Sequence, residues 1–173
     1  MKKILTFLLV FIFCISLSGC KEEEKVLNID AVLHHTEDGI FTSRQQVAYY
    51  KVFFETIKKK PTYLEDMKYL VLNIDNIGLK ETKYLEDLFG TFAKEQDLTL
   101  FSDKKESLEE RKHINNGKYD NGIILTYNDI EYSDKKIVTE LEIWHSEDIN
   151  EKNIYTVEKI SDEWVITKME GVN

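Results

Sequence analysis

The sequence contains few of the residues that constrain a chain or carry out chemistry on their own. Its 173 residues include one proline and two cysteines, and both cysteines, Cys14 and Cys20, lie within the first twenty positions. The rest of the chain therefore has no thiol chemistry and no disulfide, and a folded domain must be stabilised by its apolar core. The sequence has no HExxH motif, GxSxG motif or phosphate-binding glycine loop. It thus indicates no catalytic residue, no cofactor and no metal site.

Positive charge is also scarce. Lysine and arginine number 23 against 32 aspartates and glutamates, which gives a formal net charge of −9. Nucleic-acid binding depends on Lys and Arg side chains that neutralise phosphates, so we expect no nucleic-acid partner. The same surplus of negative charge would repel an anionic lipid surface. Attachment to a membrane would therefore need something other than the charge of the protein surface.

The first twenty residues have the order of an export signal. Lys2 and Lys3 precede an apolar run from Ile4 to Ile15 that only Thr6 interrupts, and small and polar residues follow. A positive start, an apolar middle and a small-residue end are typical of signal peptides. The run is too short to cross a bilayer comfortably, because a spanning helix needs about 20 apolar residues.

The residues that close this stretch are more specific. Leu17-Ser18-Gly19-Cys20 resembles the lipobox of bacterial lipoproteins. The resemblance implies cleavage between Gly19 and Cys20 and a diacylglyceryl group, with fatty acids such as palmitate, on the Cys20 thiol. Two acyl chains give stable anchoring, so the protein would be held by lipid at the extracytoplasmic face of the cell membrane. The alternative is an ordinary signal peptide or an uncleaved anchor, with Cys20 present by chance.

This interpretation divides the chain into three parts. Residues 1–19 form the predicted signal peptide, residues 20–26 form the lipidated cysteine and a short charged tether, and residues 27–173 form a single α+β domain. Removal of 19 of the 173 residues would leave 154, and the loss of Lys2 and Lys3 would change the formal charge from −9 to −11. A chain of this length can bury a sizeable core.

Helical periodicity dominates the front of the domain. Helices are predicted over 27–36 with an end near residue 39, over 43–60 and over 82–96, and a weak helix is predicted over 103–111. Strands are predicted at 69–74, which is buried, and at 98–101, and residues 115–122 have the composition of a loop. The second helix has the clearest boundaries, because Ser43 and Gln46 have the spacing of a capping box and Pro61 ends the pattern. Its apolar stripe consists of Val47, Tyr50, Phe54 and Ile57.

The last third of the chain reads as strands. Four are predicted, at Gly122–Ser133, Ile137–Ser146, Ile154–Ile160 and Trp164–Met169, joined by polar connections short enough for hairpins. Within the second of them, apolar and polar residues alternate, which indicates one buried and one solvated face. Helices in front and an antiparallel meander behind predict an α+β fold, with the N-terminal helices packed on the C-terminal sheet.

The final strand carries a weaker likeness. Front helices, an antiparallel sheet and the W-x-I tripeptide Trp164-Val165-Ile166 resemble the ketosteroid-isomerase-like cone fold. The likeness covers mainly residues 137–169, and the strand at 69–74 with its helix departs from it. In that family the sheet and helices enclose a pocket that binds a ligand, catalyses a reaction or does neither, so the fold alone would not decide the function.

Two residues are candidates for a pocket. Asp75 follows the buried strand, where ligand groups gather in sheets with parallel strands, although Asp75-Asn76 before Gly78 is also typical of a plain turn. His145 continues the face of Leu141 and Ile143 and can line a pocket and titrate near neutral pH. A strand-end histidine hydrogen-bonded to backbone is the simpler interpretation.

Two further groups of residues are candidates for a site. His34-His35 with Glu37 and Asp38 is the densest set of potential metal ligands, but adjacent helical side chains point about 100° apart and do not easily share one ion. The many aromatic residues have core spacing, while Tyr49 and Phe53 lie off the main stripe and either widen it or stay exposed as a patch for a partner.

These observations favour a lipid-anchored extracytoplasmic protein with a non-catalytic domain that binds an envelope protein or a small ligand. The alternative is a small enzyme or ligand-binding pocket of cone-like α+β fold that uses Asp75 or His145.

Overall fold

The computed structural model describes residues 44–111, 113–146 and 148–172. The predicted signal peptide, Cys20, the tether, the first predicted helix and the His34-His35 set lie outside these residues. The described part contains three α-helices, which we label α1 (Gln45–Lys59), α2 (Lys83–Glu95) and α3 (Lys105–Glu110), and a short 3-10 helix (Pro61–Leu64). No helix among the described residues is long and apolar enough to cross a membrane.

Eight strands accompany these helices. Six of them form one mixed sheet, namely β1 (Tyr69–Asn76), β2 (Thr99–Ser102), β5 (Gly122–Tyr132), β6 (Lys136–Trp144), β7 (Asn150–Ile160) and β8 (Glu163–Gly171). Their order across the sheet is β2-β1-β5-β6-β7-β8. Strands β3 (Ile114–Asn115) and β4 (Lys118–Tyr119) pair with each other as a small separate hairpin. The predicted α+β class is confirmed.

The sheet has a parallel part and an antiparallel part. Strand β1 pairs in parallel with β2 on one side and with β5 on the other, whereas β5 to β8 form an antiparallel meander. The β7–β8 connection is Ser161-Asp162, and both residues have positive φ, as a two-residue type I′ hairpin turn requires. The front helices therefore pack on a sheet that is a meander over four of its six strands.

One face of the sheet holds the main core. Helices α1 and α2 cover it, and the buried apolar side chains come from both helices and from β1, β5, β6, β7 and β8, including Phe53, Phe89, Tyr127 and Trp164, all fully buried. Tyr49 and Phe53 are buried as well, so they widen the apolar stripe of α1 rather than forming an exposed patch. The alternation predicted for β6 is confirmed, because Ile137, Thr139, Leu141 and Ile143 are buried while their neighbours Val138, Glu140 and Glu142 are partly exposed.

The capping-box prediction at the start of α1 is not reproduced. The helix begins at Gln45 after Arg44, whose side chain makes no capping hydrogen bond. The side chain of Gln46 reaches away from the helix end and donates from Nε2 to the carbonyl oxygen of Glu81 at 3.0 Å. The Gln46 side chain therefore makes a tertiary hydrogen bond instead of the capping bond that the local pattern predicted.

The opposite face of the sheet also carries packed apolar residues at one end. A second cluster forms there from Val71, Leu108, Tyr119, Ile124 and Trp144, contributed by β1, α3, β4, β5 and β6. The ammonium of Lys105 in α3 lies 3.8 Å from the ring centroid of Trp144, a cation–π contact that closes this cluster. Helix α3 and the β3–β4 hairpin thus form a small layer over the end of the sheet where the first strands meet.

Candidate functional site

Two clefts flank the β3–β4 hairpin. The first has a volume of about 340 Å³, and we call it the aromatic cleft; it is lined by Tyr69, Phe101, Asp103, Leu108, Arg111, His113, Tyr119 and Asp120. The second has a volume of about 420 Å³, and we call it the His145 cleft; it is lined by Asn116, Gly117, Lys118, His145, Ser146, Asp148 and Ile149. Both volumes fall within the range of small-molecule sites, about 300–1,000 Å³.

Three rings from separate segments form the wall of the aromatic cleft. Tyr69 begins β1 and Phe101 lies in β2, and the parallel register puts Thr99 beside Tyr69 and Phe101 beside Val71, so both rings share the face opposite α1 and α2. Their centroids are 5.8 Å apart. Tyr119 of β4 stacks on Tyr69 at 6.2 Å with 26° between the ring planes.

A glycine makes room for this stack. The ring of Tyr119 lies so close to Gly122 that a Cβ on that residue would be 2.0 Å from ring carbon Cε1. No side chain other than hydrogen fits there without displacing the ring. The glycine at the start of β5 therefore fixes where Tyr119 stands, and with it one wall of the cleft.

Paired charges form part of the rim. The Asp103 carboxylate accepts the backbone N–H of Lys104 at 2.9 Å, and its Oδ2 lies 3.0 Å from Nη1 of Arg111. The Asp103 side chain is only 14% exposed, whereas that of Arg111 is 63% exposed. The guanidinium therefore neutralises the carboxylate while most of its own surface still faces solvent, where it can donate further hydrogen bonds.

Hydroxyl groups complete the rim. Tyr69 and Tyr119 both line this opening, and each carries a hydroxyl that can donate and accept a hydrogen bond. Burial, with smaller effects of Tyr69 and Asp103, raises the pKa of Tyr119 above its usual value, so this hydroxyl keeps its proton at neutral pH and can donate. Asp120 and His113 are exposed at the same opening. The cleft thus combines an aromatic floor with donors and acceptors at its edge.

His145 lies just after β6 and lines the second cleft. Its ring Nδ1 is 2.6 Å from the carbonyl oxygen of Gly122, and its side chain is almost fully buried. Since a carbonyl oxygen only accepts, the ring donates from Nδ1, and Nε2 is the ring nitrogen that this bond does not use. The structure therefore combines the two interpretations of this residue, because it is a strand-end histidine bonded to backbone and it also lines a cleft.

Asp75 lies elsewhere. It is near the carboxyl end of β1, and both neighbours of this strand are parallel to it, which is the setting in which ligand groups were expected at strand ends. Its side chain is 69% exposed and 3.9 Å from the ammonium of Lys104. Asp75 lines neither of the two clefts described, so the structure does not bring it together with His145.

Metal ligands are not grouped in the part of the chain that the structure describes. No set of three or more His, Cys, Asp or Glu side chains there is arranged to hold an ion. The set at His34-His35 lies outside that part. The expectation that His34 and His35 do not share one metal ion therefore stays a prediction.

Sequence reasoning missed the aromatic cleft because its three rings come from β1, β2 and β4. Each ring alone has the spacing of an ordinary core residue, and nothing local indicates that the strands bring them together. One signal was available at Gly122, which follows a turn and begins an apolar strand, because glycine at such a place often marks a close approach of another group.

Comparisons with known proteins add no family. Family models, curated proteins and solved structures all give no match to the chain. The resemblances to bacterial lipoproteins and to the cone fold therefore depend on the sequence features that suggested them.

Proposed function

We propose that this chain is a lipid-anchored extracytoplasmic protein whose folded domain binds a small ligand in the aromatic cleft without transforming it. The observation that carries the binding role is the cluster of the Phe101, Tyr69 and Tyr119 rings with the Asp103–Arg111 ion pair in a cleft of about 340 Å³. The anchoring role is supported by Leu17-Ser18-Gly19-Cys20 at the end of the export signal.

The aromatic cleft is suited to binding. Phe101 is 44% exposed, although burying an aromatic side chain is among the largest gains available to a fold. Exposed apolar rings beside polar groups that converge on one opening are characteristic of ligand sites. The Asp103 carboxylate is already paired with Arg111, and this pair offers fixed hydrogen-bonding groups to a ligand.

Native mass spectrometry of the full chain, extracted from its own membrane in detergent, tests the binding role. We expect a small-molecule adduct on the protein that is reduced or lost in Phe101→Ala. The matched control is Ile130→Ala, which removes an exposed apolar side chain far along β5 from the cleft. An adduct that persists in Phe101→Ala would contradict the assignment of the site, and a chain without any adduct would contradict capture of a tightly held ligand.

Radiolabelled palmitate tests the anchor. We expect the chain to incorporate label and to fractionate with membranes, and Cys20→Ala to abolish both. Label that survives the substitution would contradict lipidation at Cys20. Protease treatment of intact cells should digest the domain if it lies at the extracytoplasmic face.

A second candidate function rests on His145. An imidazole whose Nδ1–H is fixed by a carbonyl and whose Nε2 is not used by that bond has the orientation of a general base or a metal ligand. Lys118, Ser146 and Asp148 share its cleft. Under this alternative the domain is a small enzyme or a pocket that binds a protic ligand, and turnover or binding lost in His145→Gln but kept in Phe101→Ala would favour it.

A further inference from the structure

We infer that the aromatic cleft takes a neutral saccharide, with the apolar face of a sugar ring on the aromatic wall and its hydroxyls on the polar rim. This inference rests on the proposed function and names its ligand class. Three properties of the cleft support a saccharide: the aromatic rings, the mixture of hydrogen-bonding groups and the balance of charge.

The rings suit a partner with a flat face of C–H groups. The face of an aromatic ring carries partial negative charge, so it attracts the weakly positive hydrogens that one side of a pyranose presents. The ring centroids of Tyr69 and Phe101 are 5.8 Å apart, and Phe101 is 44% exposed. Tyr119 is almost fully buried and stacks on Tyr69, so it supports that ring, while Phe101 and Tyr69 present the apolar surface of the cleft.

The rim suits hydroxyl groups because it offers both donors and acceptors. Arg111 and the hydroxyls of Tyr69 and Tyr119 can donate, and the carboxylates of Asp103 and Asp120 can accept. A sugar hydroxyl does both at once, so it can satisfy a donor and an acceptor of the rim together. A purely apolar ligand would instead cover these groups without replacing their water, which is unfavourable.

The charges argue against an ionic ligand. Asp103 and Arg111 neutralise each other at 3.0 Å, and Asp103 is largely buried. A cation would compete with Arg111 for this carboxylate, which is only 14% exposed. An anion at the exposed part of the guanidinium would be repelled by Asp103 and by Asp120 in the same cleft. A neutral ligand leaves the pair intact and uses its remaining hydrogen-bonding capacity.

Saturation-transfer NMR on the full chain in detergent micelles tests the inference. The probes are cellobiose, maltose and N,N′-diacetylchitobiose, with tetramethylammonium and inorganic phosphate as ionic comparisons. Irradiation of aromatic protons should transfer saturation to the ring C–H groups of at least one disaccharide. We expect Phe101→Ala to lower the affinity for that disaccharide about tenfold and Ile130→Ala to leave the affinity unchanged.

One further measurement separates a neutral ligand from an ionic one, namely the salt dependence of the disaccharide affinity. Raising the salt concentration should leave this affinity unchanged, because screening acts only on charge–charge attraction.

The inference is overturned if none of the disaccharides receives saturation, if Phe101→Ala leaves the transfer unchanged, or if only an ionic probe binds at the cleft. Its failure is distinguishable from failure of the proposed function. An adduct in the native mass spectrum that Phe101→Ala removes, together with no disaccharide binding, would sink the saccharide class and leave the binding role standing. Loss of both results would sink both proposals.

Discussion

Two consecutive tyrosines on α1 provide a matched test of what a buried hydroxyl contributes. Tyr49 and Tyr50 are both fully buried, yet their hydroxyls differ in surroundings. The Tyr49 hydroxyl donates to Oδ2 of Asp129 at 2.5 Å, and the same oxygen accepts the backbone N–H of Gly78 at 2.7 Å. Among the described residues, the Tyr50 hydroxyl is buried and has no hydrogen-bond partner.

The expected effects on stability have opposite signs. A hydrogen bond to a charged group contributes about 1.5–3 kcal/mol, and Tyr49→Phe also leaves the Asp129 carboxylate short of a donor, so we expect a loss of about 2 kcal/mol. Burial and the hydrogen bond to Asp129 raise the pKa of Tyr49 far above its usual value, so the hydroxyl remains a donor at every ordinary pH. Tyr50→Phe removes a desolvated hydroxyl without a partner, and we expect no loss or a gain of up to about 1 kcal/mol.

Urea unfolding of the full chain, followed by the fluorescence of the buried Trp144 and Trp164, measures both variants. With a urea dependence of about 2 kcal/mol per molar, Tyr49→Phe should lower the midpoint by about 1 M, and Tyr50→Phe should leave it unchanged or raise it. Equal losses in the two variants would refute the reasoning, because the effect would then not depend on whether the removed hydroxyl had a hydrogen-bond partner.

Two other predictions concern Glu151 and the glycines. Burial would raise the pKa of Glu151, but hydrogen bonds from neighbouring Lys, Tyr and Asn side chains lower it below the ordinary value of 4.5. The ionised Glu151 carboxylate therefore stabilises the fold above pH 4.5, and this stabilisation is lost as the pH falls through the lower pKa of the folded state. Glu151→Gln should consequently reduce the loss of stability at acid pH, measured by urea unfolding at a series of pH values. Gly122→Ala should displace the Tyr119 ring, destabilise the fold by about 1–3 kcal/mol and weaken binding in the aromatic cleft. In α2, a Cβ added at Gly90 would meet nothing closer than 3.9 Å, so Gly90→Ala should stabilise the fold by about 0.5–1 kcal/mol. Thermal unfolding measures both changes. A Gly122→Ala protein with unchanged stability and binding would show that the ring moves without consequence.

Periodicity sufficed to predict the parts of the fold whose contacts are local. The alternation in β6 identified its buried face correctly, and Pro61 marked the end of α1, which the structure ends at Lys59. These features follow from side chains a few positions apart, and the strand-to-strand hairpins of the meander are equally local. The α+β class follows from them.

Features that depend on distant pairing were beyond the sequence. Nothing around Tyr69 indicates that β1 lies between β2 and β5 with both neighbours parallel. The hairpin β3–β4 lies in a segment, residues 115–122, that reads as a loop by composition, yet it carries Tyr119 into the aromatic cleft. Of the two residues singled out for a pocket, His145 lines a cleft because its strand ends there, whereas the side chain of Asp75 is 69% exposed near the end of β1.

The mixed pairing of the sheet has a consequence for the time course of folding. Strands β5 to β8 pair with their neighbours in sequence, so they close short loops and can form early. Strand β1 is different, because Tyr69 pairs with Gly122, 53 positions further along. The apolar surfaces of α1 and β1 therefore stay uncovered while the chain emerges, until the meander exists to receive them. We expect the nucleus to lie in the half of the protein that is synthesised last, so that folding proceeds from the C-terminal end back toward the N-terminal end.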